Sequence, residues 1–260
     1  MSTSTDGGQT WGGLQTTADR ASGLGGQPLV QPNGTVIVPI IVFTSSLTIE
    51  NIAAFRSMNG GASWSSTVLI SRSDYHYPKG SMRAPFPFPS AGIDRSGKVY
   101  VAWPDCRFEG SCRANDIVLS TSADGTTWSA VQRIPLDSVG SGVDHFIPGL
   151  AVDHLTSGST AHLVLAFYYY PNVDCTSSTC QLDVGSSSST DGGNTWSSTK
   201  HLAGPMTLSW LASTSQGPMV GDYTSTSFSG GKAYPVFAIA TAPRGGVFNE
   251  AMFTVSGGLS

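Results

Sequence analysis

Charged side chains are scarce in this 260-residue sequence: Asp, Glu, Lys and Arg make up 12% of it, about half the share usual in globular proteins. That scarcity excludes a helical bundle or coiled coil, whose exposed faces are built from Glu, Lys and Arg. Basic residues are not in excess, since 13 Lys and Arg stand against 17 Asp and Glu. With a net charge of −4 and a pI near 5.6, the chain has no electrostatic footprint for nucleic acid or an anionic membrane. Long apolar runs are also lacking. One of the longest, Val36 to Phe43, is broken by Pro39 and falls far short of the ~20 residues that span a bilayer, so no membrane insertion is expected. Cysteines number only four, and none stands in Cys-x-x-Cys spacing or near a histidine, so no zinc motif is present. No metal or cofactor motif is legible anywhere, and nothing speaks to oligomeric state.

What fills the space is Gly (31 residues), Pro (15) and a large complement of Ser and Thr. With 39% hydrophobic and 10% aromatic residues, the chain has enough apolar material for a core. The combination suits short strands joined by many tight turns. The cysteines form two close pairs, Cys106/Cys112 and Cys175/Cys180, each inside a polar, loop-like stretch. Two local disulfides are the expectation, and they imply an oxidising environment, hence a secreted or extracytoplasmic protein. Met1 leads straight into Ser, Thr, Asp and Gly with no signal peptide, so a leader is expected to have been removed ahead of it.

An internal repeat organises the chain. Four segments resemble one another: Ser4-Thr-Asp6-Gly-Gly-Gln-Thr-Trp11, Ser57-Met-Asn59-Gly-Gly-Ala-Ser-Trp64, Ser122-Ala-Asp124-Gly-Thr-Thr-Trp128 and Ser189-Thr-Asp191-Gly-Gly-Asn-Thr-Trp196. Four of the six tryptophans sit in this one pattern, which chance does not produce. Asp and Asn bond their own backbone two residues on, and Gly supplies positive φ, so each box reads as a turn. β-Alternating runs precede and follow it, which makes the box a hairpin connection, with its Trp plugged into the apolar layer below. Asp6, Asn59, Asp124 and Asp191 are thus expected to be structural.

The pattern Ser-x-Asp-x-Gly-x-Thr-Trp resembles the Asp-box, or BNR repeat, of bacterial sialidases and related β-propellers. Two copies depart from it: Asn59 replaces Asp, and the third box is one residue short between Asp124 and Trp128. The resemblance implies an all-β propeller whose blades are four-stranded antiparallel sheets, with the box joining third and fourth strands. Between boxes, paired apolar runs agree with that: 29–30 then 35–43, 89–93 then 98–103, 149–152 then 161–169, and 219–221 then 233–240. Residues 1–260 read as one propeller domain of about four blades. Residues 247–255 read as a third strand with no box after it, and an N-terminal strand over 14–17 could complete that last blade. A compact four-bladed ring and a part of a larger, six-bladed propeller both fit.

Propeller sites lie at one face around the axis, in loops flanking the innermost strands. The candidate loops are 76–88, 103–113, 141–147, 209–223 and 244–250. Because charge is scarce, the charged residues gathered in them carry weight. Asp222, Tyr223, Asp105 and Glu250 are the candidates for catalysis, and Arg83, Arg107, Asp144, His145 and Trp210 for substrate binding. Asp105 and Arg107 also fit an ion pair bracing the Cys106 loop, Asp144-His145 a capped turn, and Glu250 a strand-end charge. Arg83, Asp144 and Asp222 are expected to share one cleft. The resemblance implies an exo-glycosidase acting on glycan termini, built on an arginine triad, a tyrosine nucleophile with its glutamate, and an aspartic acid. No residue carries over from that set by motif: the family's Phe-Arg-Ile-Pro lies before its first box, whereas Gln132-Arg-Ile-Pro135 follows one here. The alternative is a non-catalytic propeller module that binds a glycan or another extracellular ligand.

Overall fold

The computed structural model describes residues 1–43 and 50–260. Four antiparallel sheets follow one another along the chain. The first holds β1 (Gly23–Leu24), β2 (Leu29–Val30), β3 (Val36–Phe43), β4 (Glu50–Ser57) and β5 (Val68–Arg72). Both β1 and β2 pair with β3, so together they make one interrupted inner strand. The second runs β6 (Ser90–Ile93), β7 (Val99–Asp105), β8 (Asp116–Ser122) and β9 (Gln132–Arg133), and the third β10 (Asp144–Val152), β11 (Leu163–Tyr170), β12 (Gln181–Ser189) and β13 (Lys200–Thr207). A short hairpin, β14 (Ala212–Thr214) with β15 (Gly217–Met219), precedes the fourth sheet: β16 (Ser225–Ser229), β17 (Lys232–Arg244) and β18 (Val247–Thr254). These are the blades of the propeller class.

The alternation of each strand explains how the blades stack. Val99, Val101 and Trp103 face the first sheet and pack with Ile37, Ile41 and Ile52. Their neighbours Tyr100 and Ala102 face the third sheet and pack with Leu163, Leu165 and Phe167. Tyr168 and Tyr170 in turn face the fourth sheet, against Ala238 and Ala240. A strand buried on both faces reads as a near-continuous apolar run, and burying each such side chain stabilises the fold by ~1.5–3 kcal/mol. The tyrosine run thus packs twice and leaves only Tyr169 partly exposed.

All four boxes fold alike. The opening serine oxygen (Ser4, Ser57, Ser122, Ser189) accepts the amide of a left-handed glycine at 2.8–2.9 Å. The Asp or Asn side chain accepts the amide just before the tryptophan at 2.8–3.0 Å. Three boxes place two successive glycines at positive φ, and the third places only Gly125 there. That accounts for its missing residue: Ser122 reaches three residues ahead, where the other serines reach four. Hydrogen bonds from Thr10 and Thr195 hold the Asp6 and Asp191 carboxyls down at about 2, so these turns stay charged at any physiological pH.

Both disulfides are formed, Cys106–Cys112 and Cys175–Cys180, each with a Cα–Cα distance of 4.8 Å. No helix among the described residues is long and apolar enough to cross a membrane.

Three expectations are corrected. Residues 14–17 form no strand; Ala18 donates to Ser65 O, and Thr67 to Asp19, which draws this segment onto the first blade. The outer edge of β18 has no partner strand among the described residues. The inner strand of the last blade is β16, not 219–221, of which only Met219 is in a strand, at the end of the β14–β15 hairpin. β16 lines a cavity on one side, so its Ser and Thr residues need no apolar pattern. Trp11 is 66% exposed, since no strands flank its box.

The contrast between the boxes is measurable. Trp64, 8% exposed and edge-on to Phe55 at 5.3 Å, should cost ~3–5 kcal/mol when replaced by Ala. Trp11→Ala should stay within about 0.5 kcal/mol of the parent. Urea unfolding of the two variants checks both.

Candidate functional site

The inner strands of all four blades converge on a cavity of about 820 Å³. Residues 25–29, 89–93, 148–154 and 223–228 supply its walls. Backbones approach one another closely there: a Cβ on Gly149 would stand 2.8 Å from the Thr224 carbonyl oxygen, so only glycine fits. Side chains sew the inner strands together across the gaps between sheets. Gln27 both donates to Ala91 O and accepts from Ala91 N, at 2.8 and 2.9 Å. Ser90 accepts the Leu150 amide at 2.9 Å, and Thr226 donates to Gly149 O at 2.9 Å. Ile147, β-branched yet at φ +51°, marks the bulge through which β10 turns Pro148 toward the cavity; such a residue is strained in the left-handed region. Of the lining residues only His154 and Tyr223 are titratable, and no carboxylate is among them.

Charge gathers beside Tyr223. Arg83 grips Asp222 with a fork of two bonds, Nε to Oδ1 and Nη2 to Oδ2, both 2.9 Å. The two residues lie 139 positions apart in sequence. The Tyr223 ring lies 4.9 Å from that of Phe88 and is 57% exposed. Burial first, and then the Asp222 charge, push the Tyr223 phenol up, away from the phenolate that a nucleophile would need.

The other sequence candidates occupy separate stations. Asp105 is fully buried and accepts Trp103 Nε1 and the Arg107 backbone and guanidinium, while Arg107 also reaches Ser71 on the first blade. This is a brace between blades. Asp144 and His145 are successive strand residues and point to opposite faces. Asp144 Oδ1 accepts both the backbone and side-chain nitrogens of Asn115 at 2.9 Å, and burial pushes its carboxyl up to about 7. His145 instead faces Asp137 at 3.8 Å. Glu250 accepts the Ala212 amide at 2.9 Å, and Trp210 packs on the core between the third and fourth blades. Of the trio expected in one cleft, Arg83 and Asp222 meet and Asp144 lies apart, drawn under the Cys106 loop by Asn115.

Several participants carry no sequence signal. Gln27, Ser90 and Thr226 are ordinary polar residues until the blades bring them together. Phe88 lies in a candidate loop, but nothing marks it as the partner of Tyr223. Arg133, in the segment Gln132-Arg-Ile-Pro135, has a mostly buried side chain and bonds Asp116 Oδ1 at 2.7 Å.

Two substitutions separate architecture from site. Gly149→Val should destabilise by roughly 1–3 kcal/mol as an overpacked position, whereas Arg83→Gln, removing a partly exposed ion pair, should leave the melting temperature nearly unchanged. Calorimetry of both variants measures this.

No family model matches the chain, and no curated protein matches it in sequence. Solved structures do match in shape. The α-L-arabinanase of Penicillium chrysogenum, complexed with arabinobiose, superposes with a TM-score of 0.58 at 14% identity, over 97% of this chain and 68% of that one. The GH93 α-L-arabinofuranosidase of Fusarium graminearum, also with arabinobiose, gives 0.57 at 17% identity, over 90% of this chain. The chain spans 64% of that enzyme's length. The NanB sialidase of Streptococcus pneumoniae gives 0.48 at 17% identity over 90% of this chain and 31% of its own. The superpositions on the arabinanase and the arabinofuranosidase agree with the β-propeller fold expected from the sequence.

Proposed function

We propose that this protein is a secreted, glycosidase-like propeller that binds the neutral end of a glycan at the mouth of its axial cavity. Residues 1–260 act as one domain in this reading, and the two disulfides suit the oxidising compartment it requires. The observation that carries it is Tyr223: a half-exposed ring, backed by Phe88 and flanked by the Arg83–Asp222 fork, at the wall of a large uncharged cavity. An aromatic face takes the apolar face of a sugar ring, and convergent polar groups fix its hydroxyls. A sialic acid carboxylate would need a free guanidinium, but both nitrogens that Arg83 directs here are engaged by Asp222. A neutral saccharide makes no such demand. Arabinobiose, bound by both superposable enzymes, is therefore the first ligand to try.

Binding is favoured over hydrolysis by the same geometry. Glycosidases use two carboxyl groups, ~5–5.5 Å apart when retaining and ~6.5–9.5 Å when inverting. Here Asp222 has both oxygens on Arg83, Glu250 accepts from Ala212, and the cavity lining holds no carboxylate.

Titration calorimetry with arabinobiose and a neutral-glycan array tests the reading. Tyr223→Ala should weaken binding at least tenfold, about 1.4 kcal/mol, with melting unchanged. Binding that survives Tyr223→Ala would reject the site. Turnover of an aryl glycoside that disappears in Asp222→Asn would replace the binding module by the exo-glycosidase.

A further inference from the structure

A second cluster, apart from the axial cavity, joins the second and third blades. Asp116 opens β8, Asp137 follows β9, and His145 is the second residue of β10. One ligand atom from each lies within 4.8 Å of the others. We propose that these three residues hold one divalent transition cation of the zinc class.

The argument starts from His145, which is buried. Its Nδ1 lies 3.2 Å from the Asn115 carbonyl oxygen, which can only accept. Nδ1 therefore carries the hydrogen, and the lone pair of Nε2 faces Asp137 Oδ2 at 3.8 Å. A backbone carbonyl that fixes the tautomer in this way is the usual outer partner of a metal-bound imidazole. Asp116 is 1% exposed. Its Oδ1 takes Arg133 Nε, but its Oδ2 is buried with no partner. Arg133 also bonds Asp137 Oδ1, and Ser141 donates to Asp137 Oδ2. Asp116 Oδ2 is thus left buried without a donor beside the acceptors of Asp137 and His145, a costly arrangement that a cation between them relieves.

Charge balance is compatible with this: the two ligand carboxylates, Asp116 and Asp137, share a single guanidinium, that of Arg133, so the pair keeps a net negative charge for a cation to offset. One imidazole with two carboxylates suits zinc, cobalt or manganese better than calcium, which takes 6–8 oxygens. Three atoms within 4.8 Å of one another stand at most ~2.8 Å from their centre, so a contraction of ~0.7 Å or less reaches zinc-bond lengths. Because the ligands come from two blades and the loop between them, the ion would clamp those blades together.

The test uses the whole chain, stripped with a chelator and dialysed to equilibrium against Zn²⁺ or Co²⁺, with metal content measured by mass spectrometry. The expected result is about one ion per chain and a rise in melting temperature. His145→Gln and Asp137→Asn, the latter keeping Oδ1 for Arg133, should each weaken binding by about tenfold or more. His201→Gln, at the exposed His201–Asp183 pair, should not. Little or no ion on the parent protein, binding unchanged in both cluster variants, or loss only with His201→Gln overturns the proposal. Should the cluster variants fail to fold, anomalous scattering from zinc-soaked crystals decides. A peak among Asp116, Asp137 and His145 supports the site, and a peak elsewhere or none rejects it.

Discussion

Neighbouring blades of a propeller meet at the axis without a hydrogen-bonded ladder between them, and their inner strands would bury unpaired amides and carbonyls. An unpaired backbone group away from water costs ~1–3 kcal/mol. This chain meets the constraint with one side chain per gap: Gln27 for Ala91, Ser90 for Leu150, and Thr226 for Gly149. Each borrowed bond sets the spacing of two sheets, and the close approach of Gly149 to Thr224 follows from it. The apolar stacking of Val101, Leu165 and Tyr168 between sheets then proceeds from strands already positioned.

The same device shapes the chemistry of the axis. Polar atoms that sew the strands are neutral, so the cavity they enclose is neutral too. No Asp, Glu, Lys or Arg is among the lining residues; Arg83–Asp222 stands beside Tyr223 at the cavity edge, and Asp105, Glu109, Asp116 and Asp144 are buried elsewhere. A site of this kind discriminates by shape and by hydroxyl hydrogen bonds rather than by ligand charge. In the proposed reading the propeller supplies the cavity, and the residues at its rim supply the function.

Much of the architecture was legible because it repeats. The Ser-x-Asp/Asn-x-Gly boxes report a local turn whose partners lie within four residues, and local chemistry survives without any knowledge of the fold. Strands such as Leu163–Tyr170 announce themselves because both faces are buried. β16 did not, since one of its faces meets the cavity and its Ser-Thr-Ser pattern looks like a loop. Trp11 shares the motif of Trp64 but not its burial, because the motif encodes the turn and not the layer beneath. The site was legible in its residue types and not in its partnerships. Arg83 and Asp222 were both singled out, and their union across 139 positions fits the idea of convergence. Asp144 was assigned to the same cleft, yet adjacency in sequence gave no warning that Asn115 would claim it. Arg133 carries no sequence signal of its pairing, because its carboxylate partners, Asp116 and Asp137, come from another strand and the following loop.

Hydrogen exchange followed by mass spectrometry, with and without saturating arabinobiose, examines the central claim that the neutral axial mouth is where ligand binds. Slowed exchange confined to segments 84–92 and 221–228, which carry Phe88, Tyr223 and the inner strands, is the predicted outcome. Protection over 131–145 with none at the axis, or along β18, would contradict it.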